Sequence, residues 1–591
     1  MPPSHWLASP AVSLLAGVAQ ALSIADPWTG QPHWWLQIAS LAVLAWQLVR
    51  RAERQALPAA RAWRGGFWRG WLFGLGWLTG TFWWLFISMH TYGGLPAPLA
   101  GAAVLALAGA LALYYALAAA AFMALTPEPL LARRPALCAL GFAALWTLAE
   151  LARGTLLTGF PWGAGGYAHV DGPLAGYAPW VGVYGIGFLA AWLAGVGGSA
   201  LSVERSASAS QSSPPDAQRP TSDAQRSPLN AQRSPLNAHR PPPDAQRSTP
   251  GAQRATRAIL AALLLCLPWA MNRIAPPNNP ADTLPPMTVA LLQGNIPQDE
   301  KFVAGTGVDD SLRWYGEQLQ SVTAPLVVAP ETALPVLPSQ LPEGYWVALA
   351  GRFAHSDQAA LLGIPLGDPA QGYTNSVIGF APSPGAARRP LPQAGEGREE
   401  DAPYRYDKRH LVPFGEFIPP LFKWFVRLMN IPLGDFERGG VEQPSFAWGS
   451  QRLAPNICYE DLFGEELGAR FADPARAPTV FVNVSNIAWF GDSVAIDQHL
   501  QISRMRALEF ERPMLRATNT GATAIIDYRG QVTHLLPRLT RAVLTGQFEG
   551  RTRLTPYARW VARAGLWPLA AACALLAAAL ALCAAAGRNR R

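Results

Sequence analysis

The sequence predicts a membrane-embedded α-helical bundle joined to a layered α/β domain of soluble character. Three observations carry this. Residues 1–203 are nearly continuous apolar blocks, residues 285–550 alternate short branched runs with amphipathic stretches, and a further apolar block closes the chain at 564–587. With 591 residues, 50% apolar and only 15% charged, the chain is long enough for both parts.

A bilayer core of about 30 Å takes about 20 mostly apolar helical residues. Candidate spans lie near 9–25, 34–49, 67–88, 98–124, 136–152, 178–202, 257–272 and 564–587. The seventh is short and contains Pro268. The tryptophans gather towards block ends (Trp34, Trp35, Trp68, Trp71, Trp83, Trp84), which suits the lipid–water boundary. Before the first block there is neither a basic segment nor a cleavage site, so that block is expected to be a retained span. Arg50, Arg51, Arg54, Arg61, Arg64 and Arg69 follow span two, Arg133 and Arg134 follow span four, and Arg588, Arg590 and Arg591 end the chain. Loops 26–33 and 89–97 hold no Lys or Arg. The positive-inside rule then puts both termini in the cytoplasm and, with eight spans, the soluble block on the opposite, periplasmic face. These loops account for the +8 balance without nucleic acid.

The expected organisation is a bundle of spans one to six over 1–203, a disordered cytoplasmic loop over 204–256, span seven over 257–273, a catalytic domain over 285–550 and span eight over 564–587. The 204–256 insert repeats Asp-Ala-Gln-Arg at 216–219 and 223–226, then Asn-Ala-Gln-Arg at 230–233. Such a Ser, Pro and Arg composition cannot offset the entropy of ordering. Residues 383–403 are a second expected loose loop. In the soluble block, Thr288–Leu292, Leu326–Val328, Ala360–Ile364, Ser376–Phe380 and Val480–Val484 read as buried strands. Residues 522–528 with Arg529-Gly530 read as a hairpin arm and its turn, and 496–511 as a helix. Strands and helices mixed in this way predict a layered sandwich.

Three segments each place a reactive side chain just after a strand-like run. They are Val327-Val328-Ala329-Pro330-Glu331, the run from Tyr406-Asp407-Lys408 to Gly415-Glu416, and Pro455-Asn456-Ile457-Cys458-Tyr459-Glu460. Each alone has a plainer reading: a lone cysteine is commonly a small buried hydrophobe, and Glu331 with Lys408 could form a structural ion pair. Four of the five cysteines fall in apolar spans, so Cys458 has no disulfide partner in the soluble block.

Taken in order, Glu331, Lys408 and Cys458 resemble the Glu–Lys–Cys triad of the nitrilase superfamily, whose fold is a four-layer αββα sandwich. The wider segments are similar to its membrane branch, the apolipoprotein N-acyltransferases. These are 292–298 (Leu-Gln-Gly-Asn-Ile-Pro-Gln), 408–416, 483–486 with 488–492, and 516–521; in the membrane half, Tyr92-Gly93-Gly94 and 158–162 (Thr-Gly-Phe-Pro-Trp) resemble that family's periplasmic turns. Three positions depart from the pattern: Ile487 stands where the family usually has Asp, 495–497 replace a Gly-Pro context, and Phe302 replaces Trp.

The resemblance implies acyl transfer in the bacterial inner membrane. Its donor is a phospholipid such as phosphatidylethanolamine, and its acceptor the α-amino group of a diacylglyceryl-apolipoprotein. Cys458 is implied as nucleophile, Glu331 as base and Lys408 as oxyanion partner. Glu416 has a supporting role, Tyr459 and Glu460 orient or contact the acceptor, and Trp489 and Phe490 line the acyl path or pack their loop. A helix-start acid is the plainer reading of Glu460. No cofactor, metal or nucleic acid is expected, and the chain is expected to act as a monomer. Two other readings use the same residues: a membrane-tethered amidase in which water resolves the thioester, and a non-catalytic lipid-binding scaffold.

Overall fold

The computed structural model describes residues 9–54, 59–211, 279–382, 403–418 and 436–588, together with Leu267. The N-terminal half is a bundle of α1 (Pro10–Leu22), α2 (Trp34–Arg54), α3 (Ala59–Phe82), α4 (Ala97–Leu125), α5 (Pro135–Thr155) and α6 (Ala178–Gln211), joined by the last helix, Trp567–Arg588. Among the described residues four segments are long and apolar enough to cross a membrane: Ala97–Leu125, Pro135–Thr158, Pro173–Gly198 and Trp567–Arg588. A fifth arises if Ala62–Phe82 and Leu85–Tyr92, bent by 60°, form one span. The expected third span thus falls on this bent pair and not on one straight helix. α1 is apolar but only 13 residues long, and α2 ends in Arg50-Arg51-Ala52-Glu53-Arg54. The expected seventh span lies outside the described residues, Leu267 apart.

Leu105, Leu113 and Leu117 of α4, with Leu575 and Leu582 of the last helix, point outward and are exposed. A helix apolar all round, with such side chains outside, has lipid as its solvent. Inside, close packing depends on small residues: Gly66, Gly70 and Gly74 line α3 against α4, and a Cβ on Gly70 would stand 2.5 Å from the Tyr115 carbonyl oxygen. α6 runs on to Gln211, past the expected loop boundary at residue 203. No proline interrupts the chain between Pro179 and Pro214, and the Ser/Ala stretch tolerates helix. Residues 212–256 of the insert and 383–402 lie outside the described residues.

The C-terminal domain holds two six-stranded sheets. The first has the order β12-β1-β2-β3-β4-β5, the second β11-β10-β9-β8-β7-β6. Their strands are β1 (Met287–Gln293), β2 (Leu326–Val328), β3 (Ala359–Asp368), β4 (Gly372–Phe380), β5 (Tyr404–Asp407), β6 (Phe446–Trp448), β7 (Gln451–Ile457), β8 (Val480–Ser485), β9 (Met514–Thr518), β10 (Ala524–Ile526), β11 (Val532–Leu535) and β12 (Ala542–Phe548). The expected hairpin forms between β10 and β11, with Gly530 at φ 73° in its turn.

Strand alternation builds the layers. Leu326 and Val328 face Val480, Val482 and Val484 across the space between the sheets. Val327 points the other way, into a core with α7 (Gly307–Ser321) and α8 (Tyr345–Ala354). On the far side Phe481 and Met514 pack against α9 (Ala495–Phe510) and α10 (Pro556–Ala564). The result is a helix–sheet–sheet–helix sandwich.

The sandwich is seated on the bundle. Ile496, Ile502 and Met505 of α9 share one apolar core with the bundle residues Trp84, Trp162 and Tyr167. Gly182 breaks α6 at φ 65°, where a Cβ would meet the Tyr557 ring, and the freed Val183 amide donates to Glu509 Oε1 at 2.6 Å. Glu509 also pairs with Arg506 at 2.8 Å, both side chains being buried. Trp84 and Trp162 donate their indole N–H groups to Gln498 Oε1 at 3.1 and 2.8 Å.

Candidate active site

The site lies where strands of both sheets end. Glu331 follows β2, Lys408 follows β5, Cys458 follows β7 and Asn486 follows β8. Ligand sites in α/β sheets lie outside the carboxyl ends of strands, where the backbone leaves the ladder and can aim side chains. Two of these exits have left-handed backbones on non-glycine residues: Thr332 at φ 48° and Cys458 at φ 53°. Such a conformation costs about 1–3 kcal/mol and persists only where surrounding contacts enforce it. At Cys458 it turns the strand sharply into the short helix Cys458–Leu462.

Lys408 is almost fully buried between two carboxylates. Its Nζ donates to Glu331 Oε1 at 3.1 Å and to Glu416 Oε1 at 2.9 Å. Asn375 Nδ2 donates to the same two oxygens at 2.7 and 2.8 Å. The other oxygen of Glu331 accepts from the Asn486 amide at 2.8 Å, and that of Glu416 from the Val412 amide at 2.9 Å. Burial pushes the Glu331 carboxyl up, but Lys408, Asn375 and the Asn486 amide outweigh it and hold the group below the usual carboxylate range. Burial also opposes the Lys408 charge; Glu331 and Glu416 overcome it and hold the ammonium well above its ordinary value.

Cys458 is partly open and packs against both the bundle core and the inter-sheet core. Burial pushes its thiol up to about 12, with Glu331 adding to the rise and Lys408 opposing it. A thiol in this state is a poor nucleophile unless a neighbour takes its proton during attack. Glu331, ionised and close enough for its charge to act on the thiol, can do so. Lys408 can stabilise negative charge on a carbonyl oxygen held at the sulfur.

Glu416 joins this cluster directly. Glu460 does not: its carboxylate accepts from the Ile457, Arg409 and His410 amides at 2.6, 2.6 and 3.2 Å and from the Tyr406 hydroxyl at 2.9 Å. It sits in the first turn of a short helix and staples the Lys408 loop to the Cys458 turn. The Tyr459 hydroxyl donates to the Gly159 carbonyl at 3.2 Å, and its ring stacks on Phe160 with centroids 6.2 Å apart. That stretch of the bundle is held from below by Arg153, whose Nη1 donates to the Phe160 and Trp162 carbonyls at 2.5 and 2.8 Å. Trp489 and Phe490 are half-buried against the bundle, Phe490 4.2 Å from the Trp84 ring and Trp489 6.0 Å from Tyr92.

Sequence reasoning gave no role to Asn375, Asn486 or Lys301. Lys301 is fully buried, and its Nζ donates to the Glu331 carbonyl at 3.2 Å. Burial draws its ammonium down to about 7, against the pull of Glu331 and Cys458. Asn486 falls in the family-like stretch 483–486, and Lys301 stands beside Phe302. Asn375, on β4, carries no local signal. Among the described residues no group of three His, Cys, Asp or Glu side chains could hold a metal.

Residues 16–196 match a family model described as apolipoprotein N-acyltransferase N-terminal domain, and residues 392–557 one described as carbon-nitrogen hydrolase. An apolipoprotein N-acyltransferase of Verminephrobacter eiseniae (strain EF01-2) is 55% identical over 567 residues, 94% of this chain and 92% of its own. The protein of that name from Ralstonia nicotianae (strain ATCC BAA-1114 / GMI1000) is 44% identical, with 99% and 94% covered. That from Bordetella bronchiseptica (strain ATCC BAA-588 / NCTC 13252 / RB50) is 40% identical, with 98% and 97% covered.

Proposed function

The chain belongs to the apolipoprotein N-acyltransferase family, and from that premise we propose that Cys458 carries an acyl chain as a thioester from a membrane phospholipid to an apolipoprotein amine. The observation that carries this is the buried Glu331–Lys408–Glu416 cluster beside a partly open thiol on a left-handed turn. In the first half-reaction Glu331 takes the thiol proton as sulfur attacks the ester carbonyl. Lys408 stabilises the oxyanion, and removing one such donor costs about 10²–10³ in rate. The C–O bond breaks, Glu331 returns the proton to the departing alcohol, and a lysophospholipid leaves. In the second half-reaction the α-amino group of the acceptor's diacylglyceryl cysteine attacks the thioester, an amide forms, and the thiol is regenerated.

Both substrates carry acyl chains that are costly to expose to water. A sandwich docked on a lipid-facing bundle lets them approach from the membrane. Eight spans, cytoplasmic termini and a periplasmic catalytic domain in the inner membrane complete the reading. It is supported by the arginine-bearing loops and by the exposed Trp35, Trp83 and Trp567 at helix ends. Glu416 keeps Lys408 placed, Glu460 orients the Lys408 loop against the Cys458 turn, Tyr459 ties that turn to the bundle, and Trp489 and Phe490 border the acyl path.

The second half-reaction is the test. Purified protein carrying an acyl-thioester is mixed with a diacylglyceryl-cysteine peptide, and both masses are followed. Transfer of the acyl mass to the peptide amine supports the reading. Release of free fatty acid with the peptide unchanged would instead make the protein an amidase-like hydrolase.

A further inference from the structure

Behind the nucleophile lies a buried polar network that the mechanism does not use. The Cys458 carbonyl oxygen is 3.2 Å from His499 Nε2 and accepts from Asn483 Nδ2 at 3.1 Å. His499 Nε2 also meets Asp461 Oδ1 at 2.9 Å. Both of its partners are acceptors, so Nε2 carries the hydrogen and shares it between them. The other ring nitrogen faces a donor, Arg516 Nη2, at 3.4 Å and is therefore the bare one. The imidazole is neutral with a fixed tautomer, in keeping with a proton affinity drawn down by burial and Arg516 against the pull of Asp461. Arg516 and Ser503 hold Asp461 in turn, and His499, Asp461, Arg516 and Ser503 are all fully enclosed.

Two further contacts extend the network. Asn483 also donates to Asn456 Oδ1 at 2.7 Å, which ties it to the strand that ends at the nucleophile. The His499 ring lies 5.4 Å from Trp162 of the bundle, and its neighbour Gln498 accepts from the Trp84 and Trp162 indoles.

A left-handed φ on a residue with a side chain survives only where its carbonyl and amide are held. We propose that His499 and Asn483 are positioning residues: their N–H groups grip the Cys458 carbonyl and so keep the turn that aims the thiol at Glu331 and Lys408. Because Trp162 seats the His499 ring, docking on the bundle helps to set the geometry of the nucleophile. This rests on Cys458 being the acyl carrier.

The test compares His499→Leu, which removes the donor, with His499→Gln, which returns an N–H near the Nε2 position, in full-length protein in detergent. Single-turnover acylation of Cys458 by phosphatidylethanolamine is expected to slow about 100-fold in His499→Leu, the scale of a misplaced reacting group. The phospholipid concentration for half-maximal rate is expected to stay unchanged, and His499→Gln to regain most of the rate. Wild-type acylation in His499→Leu, or equal loss in both variants, overturns the proposal. Should His499→Leu not accumulate, Asn483→Ala removes the second donor to the same carbonyl, and an unchanged rate there overturns it equally. Acyl transfer that persists in Cys458→Ala would remove the nucleophile assignment itself. The positioning claim is then read from alkylation of Cys458 by iodoacetamide, which should slow in His499→Leu but not in His499→Gln; equal rates in the two overturn it.

Discussion

Replacing Lys408 by methionine removes the ammonium and keeps most of the volume. In the wild-type protein that ammonium and one Asn375 amide nitrogen each reach both Glu331 and Glu416. Without it, two buried carboxylates face each other across one neutral donor. At a separation of about 5 Å and an effective dielectric of about 20 their repulsion is about 3 kcal/mol. Removing one partner of a buried ion pair costs about 3–5 kcal/mol, so the two routes agree in scale. The pH dependence follows from the carboxyls. Lys408 holds Glu331 below its ordinary range, so in the wild type this contribution to stability is present above the unfolded carboxyl value and is lost as pH falls through the folded one. In Lys408→Met the repulsion raises a carboxyl instead. The deficit is therefore full near pH 8 and shrinks towards pH 5 as one group takes up a proton. Apparent melting temperature in detergent across that range reads the stability, and single-turnover acylation reads the chemistry, with an expected loss of at least about 10²-fold. A variant that melts with the wild type at pH 8, or that acylates within tenfold of it, would refute the reasoning.

Two other perturbations follow from the same geometry. With Glu331 ionised throughout, wild-type acylation should not climb tenfold per pH unit between about pH 6 and 9, and an inflection near 7 belongs to the buried Lys301 and Glu460. In Glu331→Gln the thiol must ionise alone; the part of its rise due to Glu331 is gone, but burial still holds it up, so the slow residual rate should climb about tenfold per pH unit; a flat profile in the variant would exclude Glu331 as the base. Glu509→Ala leaves Arg506 buried beside a vacant partner and frees the Val183 amide at the Gly182 break, at a cost of about 3–5 kcal/mol. A melting temperature equal to wild type would show that this clasp does not secure the sandwich to the bundle.

The strands legible in the sequence were those whose residues are branched and buried on both faces, such as Leu326–Val328 and Val480–Ser485. The strand that delivers the nucleophile, Gln451–Ile457, carries Pro455 and Asn456, which argue against a central strand. It is tolerated because β6 pairs only with residues 451–453; beyond them the open side is met by Arg470, which donates to the Pro455 carbonyl at 2.7 Å. In the bundle, hydropathy located the long spans but gave no sign of the bend after Phe82. Nor did it mark the buried turn Gly165–His169 and the part-buried turn Pro173–Tyr177, whose residues pack without any periodic pattern. Glu331, Lys408 and Cys458 were legible because, taken in order, they resemble a Glu–Lys–Cys triad; none of them stood out alone. Asn375, His499 and Asn483 were not, because their partners are distant in sequence and only the fold brings them together.

The central claim is that Cys458 carries the acyl chain. Intact mass of the detergent-purified protein after incubation with phosphatidylethanolamine tests it most directly, wild type beside Cys458→Ala. The expected result is a gain of one acyl chain in wild type alone, lost on treatment with hydroxylamine. An adduct of the same mass on Cys458→Ala, or none on wild type while acyl transfer proceeds, would contradict it.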